Sequence, residues 1–283
     1  MSAGAPGPLL TLAAHEALAR ALRHGLPTVE CSLDLGRSSE TVEVNREAWI
    51  YRGRAFPHLT KAKERTIYYW SGRGFEPIAR FTESLIKLVP TEWGAPTFEI
   101  DGIKMLPTAK VSPYEDARRK VALVEPRGKV VLDTCGGLGY FAAWCLASDV
   151  LRVDSFEKNP DVLWLRSLNP WSPANAWATE SSDSLRLTCG DVTVHIAAIA
   201  SQSVDAILHD PPRFGIAGEL YSQAFYDELS RVLRRRGRLF HYTGTPNRLT
   251  SGRDVPQEVA TRLRRAGFRT EFDGDGVLAI KDR

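Results

Sequence analysis

From Tyr114 onward, short apolar runs of strand length alternate with stretches whose apolar residues recur every three or four positions. "YEDARRKVAL" reads as a helix. It is followed by "KVVLDTC", "YFAAWCLAS", "RVDSFEK", "DVLWLRSL", "LRLTCGD", "VDAILHD", "QAFYDELSRVL", "GRLFHYTG", "EVATRLRRAG", "FRTEF" and "GVLAIK". Parallel strands need a crossover, so this alternation predicts an α/β fold, a mostly parallel sheet with helices on both faces. On that architecture ligands bind beyond the carboxyl ends of the strands. The residues just after each apolar run are therefore the ones to examine.

The first hundred residues have a different texture. Leu9, Leu10, Leu12, Leu18, Ala19 and Leu22 fall at helical spacing over 9–23, and "HG" stops that helix. Alternation on both sides of "GRSSE" predicts a hairpin, and Trp49–Arg52, "TIYYW" and "TFEIDGIKML" read as further short strands; "ESLIKLV" fits a strand or a helix. The pattern changes near Pro107. The expected division is a small, mostly β domain over 1–106 that presents substrate or caps the sheet, and a catalytic domain over 107–283.

Composition excludes more than it assigns. With 37 Lys and Arg against 34 Asp and Glu, a net charge of +3, the whole chain exerts no strong pull on nucleic acid, and any basic surface is local. The basic run "RVLRRRGRL" at 231–239 reads first as a solvated helix end. Cys31, Cys135, Cys145 and Cys189 form no C-x-x-C pair and no cluster with the six histidines, so reduced thiols and no metal are expected. No basic stretch precedes the apolar part of the N-terminus and no run approaches 18 apolar residues, which points away from a leader or a membrane span and toward a cytoplasmic protein.

Four successive strand ends carry polar chemistry. In "VVLDTCGGLGYFA" a buried strand ends at Asp133, and Gly136, Gly137 and Gly139 turn the chain into a helix beginning near Tyr140. Glycine permits positive φ and close approach of a ligand to the backbone. The spacing is not the G-x-G-x-x-G of a pyrophosphate loop and no Lys-Ser/Thr follows, which disfavours dinucleotides and nucleoside triphosphates. Twenty residues on, the second strand ends at Glu157, where an acid takes both hydroxyls of a ribose. The third ends at "CGD", placing Asp191 where it would accept from an adenine amino group. The fourth delivers "HDPPRFG": proline cannot donate to a sheet ladder, so Pro211 and Pro212 lie past the strand, at its rim. Together these point to a ligand with a ribose and no phosphates.

These residues resemble the class I S-adenosylmethionine-dependent methyltransferases, whose Rossmann-like sheet the alternation matches. "LDTCGGLGYFA" looks like their first motif, and "DPPR" is similar to the Asp/Asn-Pro-Pro-aromatic motif of the amino-methyltransferases. "LNPWS", "HDPPRFGIAGELYSQAFYDELSRVL" and "GRLFHYTG" resemble more closely the predicted archaeal methyltransferases, over roughly residues 108–270. The resemblance implies S-adenosylmethionine as cofactor, held by Asp133, Cys135, Gly136, Gly137, Gly139, Tyr140, Glu157, Lys158, Asn169, Asp191 and Asp210. It implies catalysis by Asp210, Pro211, Pro212, Arg213 and Phe214, and methylation of a cytidine amine in ribosomal RNA, so an RNA substrate is the expected partner. Tyr114 and Asp116, in the helix before the glycine loop, are similar to residues that close over the methionine end, and Trp171 to a wall of the site.

The acid and the prolines have a physical rationale. The lone pair of an exocyclic base amine is delocalised into the ring. If the Asp210 carboxylate and the Pro211 carbonyl both accept its protons, the nitrogen is drawn toward tetrahedral geometry and the lone pair is released toward the sulfonium methyl. Phe214 would stack on the base. The motif departs from its relatives in having Arg213 directly after the prolines, with the aromatic one place later; a guanidinium there stacks or holds a phosphate. His209 precedes the motif and alternation turns it away from Asp210, so it reads as structural; His241 and Tyr242 end the next strand and line the site or the core. Two alternatives stay open: an aminopropyltransferase resembling spermidine synthase, whose glycine loop carries an acid where this chain has Leu138, and a non-catalytic module that binds RNA.

Overall fold

The computed structural model describes residues 7–173, 183–244 and 254–282. It divides into two compact units, one of residues 1–115 with 164–171 and the other of 116–163 with 172–283. Residues 1–6 lie outside the described part.

The first unit is built of short antiparallel strands and one helix. Leu12–Arg23 is helical, with Thr11 as its N-cap accepting from the Ala14 N–H at 3.3 Å. The helix expected from residue 9 begins later because Leu9 and Leu10 pair as a strand with Tyr69 and Tyr68. That partner is 60 residues away, which local spacing cannot reveal. The predicted hairpin is present: Thr28–Cys31 pairs with Glu40–Val44, and Ala48–Tyr51 and Arg54–Pro57 extend the sheet. "ESLIKLV" resolves as a strand, Leu85–Val89, between Ala79–Phe81 and Thr97–Ile100. Trp49, fully buried, stacks on Phe56 at 4.9 Å and Phe75 at 5.8 Å to centre this core.

The second unit holds one seven-stranded sheet: β1 Val130–Asp133, β2 Arg152–Glu157, β3 Leu185–Cys189, β4 Val204–His209, β5 Leu233–Tyr242, β6 Phe268–Asp273 and β7 Gly276–Lys281. The order is β3-β2-β1-β4-β5-β7-β6, parallel through the first five, with β7 antiparallel to both neighbours. Helices α1 Pro113–Val124 and α3 Pro160–Leu168 each have residues in both units, and α2 Tyr140–Ala147, α4 Val192–His195, α5 Gln223–Val232 and α6 Val255–Arg265 belong to the second. β1 and β4 are mostly apolar and buried along nearly their whole length, as strands covered by helices must be. Tyr226, Leu229, Val259 and Leu263 cover the sheet with Leu132, Ile207, Leu239 and Ala279 beneath. β6 and β7 form a hairpin through "DGDG", in which Gly274 takes the left-handed conformation with φ +54°.

Among the described residues no helix is long and apolar enough to cross a membrane. No group of three His, Cys, Asp or Glu among them stands close enough to hold a metal ion. All four cysteines are free thiols.

Candidate active site

Parallel pairing brings the ends of β1 to β5 to one edge: Asp133 is level with Ser155 and Leu208, Glu157 with Cys189, and His209 with His241. The chain leaves β1 toward β2 on one side and reaches β4 on the other, so the crevice lies beyond β1 and β4. The glycine loop occupies that place. Its backbone folds back on the second strand, with Gly136 N–H donating to the Phe156 carbonyl at 2.7 Å and Gly137 N–H to Glu157 Oε2 at 2.9 Å. Gly137 and Gly139 have φ of +49° and +81°, where an L side chain is strained. Gly139 caps α2, and Tyr140 opens that helix, buried.

Glu157 accepts Gly137 N–H through Oε2 and Asn159 N–H through Oε1 at 2.8 Å, so two backbone donors aim its carboxylate at the rim. Asp133 lies beneath the loop, fully buried, accepting from Ser155 Oγ at 2.8 Å; it supports the loop from below. Cys135 is half-buried, and burial pushes its thiol up, which keeps it neutral. Asp191 is the N-cap of α4: Oδ1 accepts from the N–H and hydroxyl of Thr193, and Oδ2 pairs with Lys158 Nζ at 2.8 Å. Burial raises its carboxyl, but the bonds from Lys158 and Thr193 prevail and hold it below the usual value. Lys158 is thus tied to the neighbouring acid.

Beyond β4, Asp210 is partly covered and Pro211 is buried. The Pro212 carbonyl accepts from Tyr221 Oη at 3.0 Å, and Phe214 meets the Tyr221 ring edge-on at 5.4 Å. Arg213 is exposed, and its carbonyl accepts from Ile216 N–H at 2.7 Å in a tight turn. Burial raises the Asp210 carboxyl; Lys120 counteracts this, while Asp116 and Asp275 add to it, and the net direction is up.

Lys120 is the residue the sequence reading missed. Its ammonium, 1 % exposed, lies 2.7 Å from Asp116 Oδ2, 3.7 Å from Asp210 Oδ2 and 3.9 Å from the centre of the Tyr242 ring. Burial alone would lower it, but Asp210 and Asp116 raise it, so it stays charged. Its apolar neighbours in sequence, Ala117, Val121 and Val124, were the available signal: a lysine on the buried face of a helix.

His209 and His241 are core residues. His209 Nε2 is 3.1 Å from the Leu220 carbonyl and Nδ1 is 2.6 Å from Thr134 Oγ1; His241 Nδ1 is 2.8 Å from the Tyr242 carbonyl and Nε2 is 2.8 Å from Tyr226 Oη. A carbonyl only accepts, so each ring donates there and accepts a hydroxyl proton with its other nitrogen, as a neutral imidazole. Burial depresses His209 to about 4.

Asn169, Trp171 and Tyr114 fall in the other unit. There Asn169 Oδ1 accepts from Trp171 N–H at 3.1 Å, Trp171 Nε1 donates to the Leu35 carbonyl at 3.0 Å, and Tyr114 packs edge-on to Trp171. Asp116 is a partner of Lys120. The run Arg234–Arg236 is exposed at the start of β5, opposite the rim, with Arg234 paired to Asp205 at 2.6 Å.

Residues 155–247 match the model of an S-adenosyl-L-methionine-dependent methyltransferase family. The uncharacterised protein MJ1233 of Methanocaldococcus jannaschii is 43% identical over 267 residues, covering 89% of each chain. Polyamine aminopropyltransferase 2 of Streptomyces coelicolor is 31% identical over 134 residues, 46% of this chain and 24% of that protein. Among solved structures, a spermidine synthase in complex with the transition-state analogue AdoDATO superposes with a TM-score of 0.58 at 15% identity, covering 72% of each chain. At that identity the likeness is one of fold.

Proposed function

The chain belongs to the same family as MJ1233 of Methanocaldococcus jannaschii and is an S-adenosylmethionine-dependent methyltransferase, and from that premise we propose that it methylates an exocyclic amine of a base in RNA, cytidine foremost. The observation that carries this reading is the Asp210-Pro211-Pro212 turn at the crevice, a carboxylate and a proline carbonyl held just past β4.

The residues at the rim fit the cofactor. The loop has no Cβ at Gly136 and Gly137, and its positive φ values fix a surface that side chains would fill. Glu157 would take the ribose diol, with the bonds from Gly137 and Asn159 aiming its carboxylate. Asp191 would meet the adenine amino group through Oδ2, shared with Lys158, because Thr193 donates twice to Oδ1. The bound cofactor supplies an activated sulfonium methyl. The protein's part is positioning: the Asp210 carboxylate accepts a hydrogen bond from the amine, sharpens its lone pair and later takes the one proton the methylated nitrogen sheds. Phe214, packed against Tyr221, would wall the base pocket, and Arg213 would face the phosphates. Residues 1–106 would present the RNA or cap the sheet, and the cytoplasm is the expected place of work.

The identity to the aminopropyltransferase favours a second reading, transfer of an aminopropyl group to a polyamine. Against it, position 138 is a leucine, 1 % exposed, where that chemistry uses an acid. The test is transfer of labelled methyl from S-adenosylmethionine to RNA from cells lacking the gene, followed by nucleoside analysis. An amine-methylated cytidine or adenosine supports the proposal. Turnover of decarboxylated cofactor with a polyamine, and no labelled nucleoside, replaces it.

A further inference from the structure

A buried lysine needs partners, because desolvating an ammonium costs several kcal/mol. Asp116, four residues earlier on α1, already provides one at 2.7 Å. Yet the ammonium also faces Asp210 at 3.7 Å and sits on the Tyr242 ring at the end of β5. α1 is fixed in this position by a second cation: Arg119 donates to Asp273 Oδ1 at 3.0 Å and to Asp275 in the β6–β7 turn. Two adjacent residues of one helix therefore tie it to two sheet ends, and one of those ties reaches the carboxylate assigned to the amine.

From this geometry we infer that Lys120 is a positioning residue for the transfer: its ammonium holds Asp210 by Oδ2, which keeps that carboxylate ionised and leaves Oδ1 to the incoming amine. The inference rests on the assignment of Asp210 above. Asp116 acts in the opposite sense, drawing Lys120 away and adding a like charge. The other ionisable groups facing the pair are Arg119, Asp275, Tyr242, Tyr221 and Cys135. Burial keeps Tyr242, Tyr221 and Cys135 neutral by raising each of them, so Asp116, Asp275 and Arg119 are the charges that compete.

The experiment titrates the whole protein, without cofactor, labelled with carbon-13 at the aspartate carboxyls; the Asp210 signal is assigned by its loss in Asp210→Asn. Lys120→Met should move the Asp210 midpoint up by about one pH unit or more, the effect of removing an opposite charge at this range. Asp116→Asn should move it down. Lys120→Arg, which keeps the cation, should restore the wild-type midpoint. Midpoints that do not move, or that shift the same way in Lys120→Met and Asp116→Asn, overturn the inference. If Lys120→Met fails to fold, the double variant Lys120→Met/Asp116→Asn, which leaves neither member of that pair charged, is titrated instead; its Asp210 midpoint should lie above that of Asp116→Asn alone, and an equal midpoint overturns the inference. In methyl transfer, the acid limb of kcat should follow these midpoints, while in Lys120→Met and Lys120→Arg the Kd for S-adenosylmethionine holds. If the wild-type protein methylates no base amine, the substrate assignment fails and the titration still judges Lys120.

Discussion

Replacing Glu157 with glutamine separates the two tasks the structure gives this side chain. Its carboxylate accepts Gly137 N–H at 2.9 Å on one oxygen and Asn159 N–H at 2.8 Å on the other. An amide has one acceptor oxygen and one NH2, so whichever way it turns, one backbone N–H faces another donor. Hydrogen bonds to a charged acceptor contribute about 1.5–3 kcal/mol each, which sets the expected local destabilisation of the loop. The Gly137 amide reports it directly, and its hydrogen exchange should accelerate by roughly 10- to 150-fold. The cofactor loses a similar amount, since one of two ribose hydroxyls forfeits a charged acceptor. Titration calorimetry should show the Kd for S-adenosylmethionine rising about 10- to 150-fold. If Gly137 exchange accelerates and the Kd stays within about twofold, Glu157 only staples the loop and the ribose assignment is wrong. If the Kd rises while exchange is unchanged, the stapling argument fails.

Asp210→Ala should lower the rate of methyl transfer by about 10²- to 10⁴-fold, with the Kd for S-adenosylmethionine within about twofold of wild type; equal loss of both would make Asp210 a structural residue. Because burial lifts the Asp210 carboxyl, the wild-type rate should rise with pH through that elevated value and then level off, and a rate that is flat down to the ordinary carboxylate range would contradict the role. His209 works in the other direction: its folded value, about 4, lies below the unfolded value near 6.5, so its stabilising contribution is complete above 6.5 and is lost as pH falls toward 4. Urea unfolding of His209→Gln should therefore lose about 2 kcal/mol less than wild type between pH 7 and pH 5, and an equal loss would mean that the buried ring is not held neutral. Reversing Arg235 and Arg236 to Glu should change the KM for RNA by less than about threefold, since they lie at the start of β5; a tenfold rise would show that RNA crosses that far edge.

The sheet was legible because its strands obey local rules. Val130–Asp133 and Val204–His209 are short, mostly apolar runs that stop at Asp, Gly or Pro; the first is followed by the almost wholly apolar helix Tyr140–Ala147, and the second by Gln223–Val232, whose apolar face shows the helical period. The rim followed from the same marks, since a parallel sheet puts all such stops on one edge. What escaped were long-range placements. Leu9 and Leu10 fit the helical spacing that follows them, and only their pairing with Tyr69 and Tyr68 makes them strand. Asn169 and Trp171 stand beside the α3 sequence, but Trp171 is bonded to Leu35, 136 residues earlier. Lys120 follows Asp116 by four residues, the ordinary spacing of a surface ion pair, and nothing local says that Asp210 arrives on its other side.

The charges around the crevice bear on where a polyanionic substrate would be held. Glu157, Asp191 and Asp210 make the crevice edge acidic, and Lys158 and Lys120 are both already paired with acids there. That environment suits a cationic cofactor and repels a polyanion. Val204 and Asp210 are six residues apart along β4 and its end, so the Arg234–Arg236 run at the opposite edge is about 20 Å from Asp210. A bound RNA therefore needs its phosphates neutralised from the DPPR loop, where Arg213 is exposed, or from outside the sheet. The arginine that replaces the usual aromatic would then have a physical purpose: it offsets the acids around it at an exposed position of the rim, while Phe214 one residue later retains the aromatic wall against Tyr221.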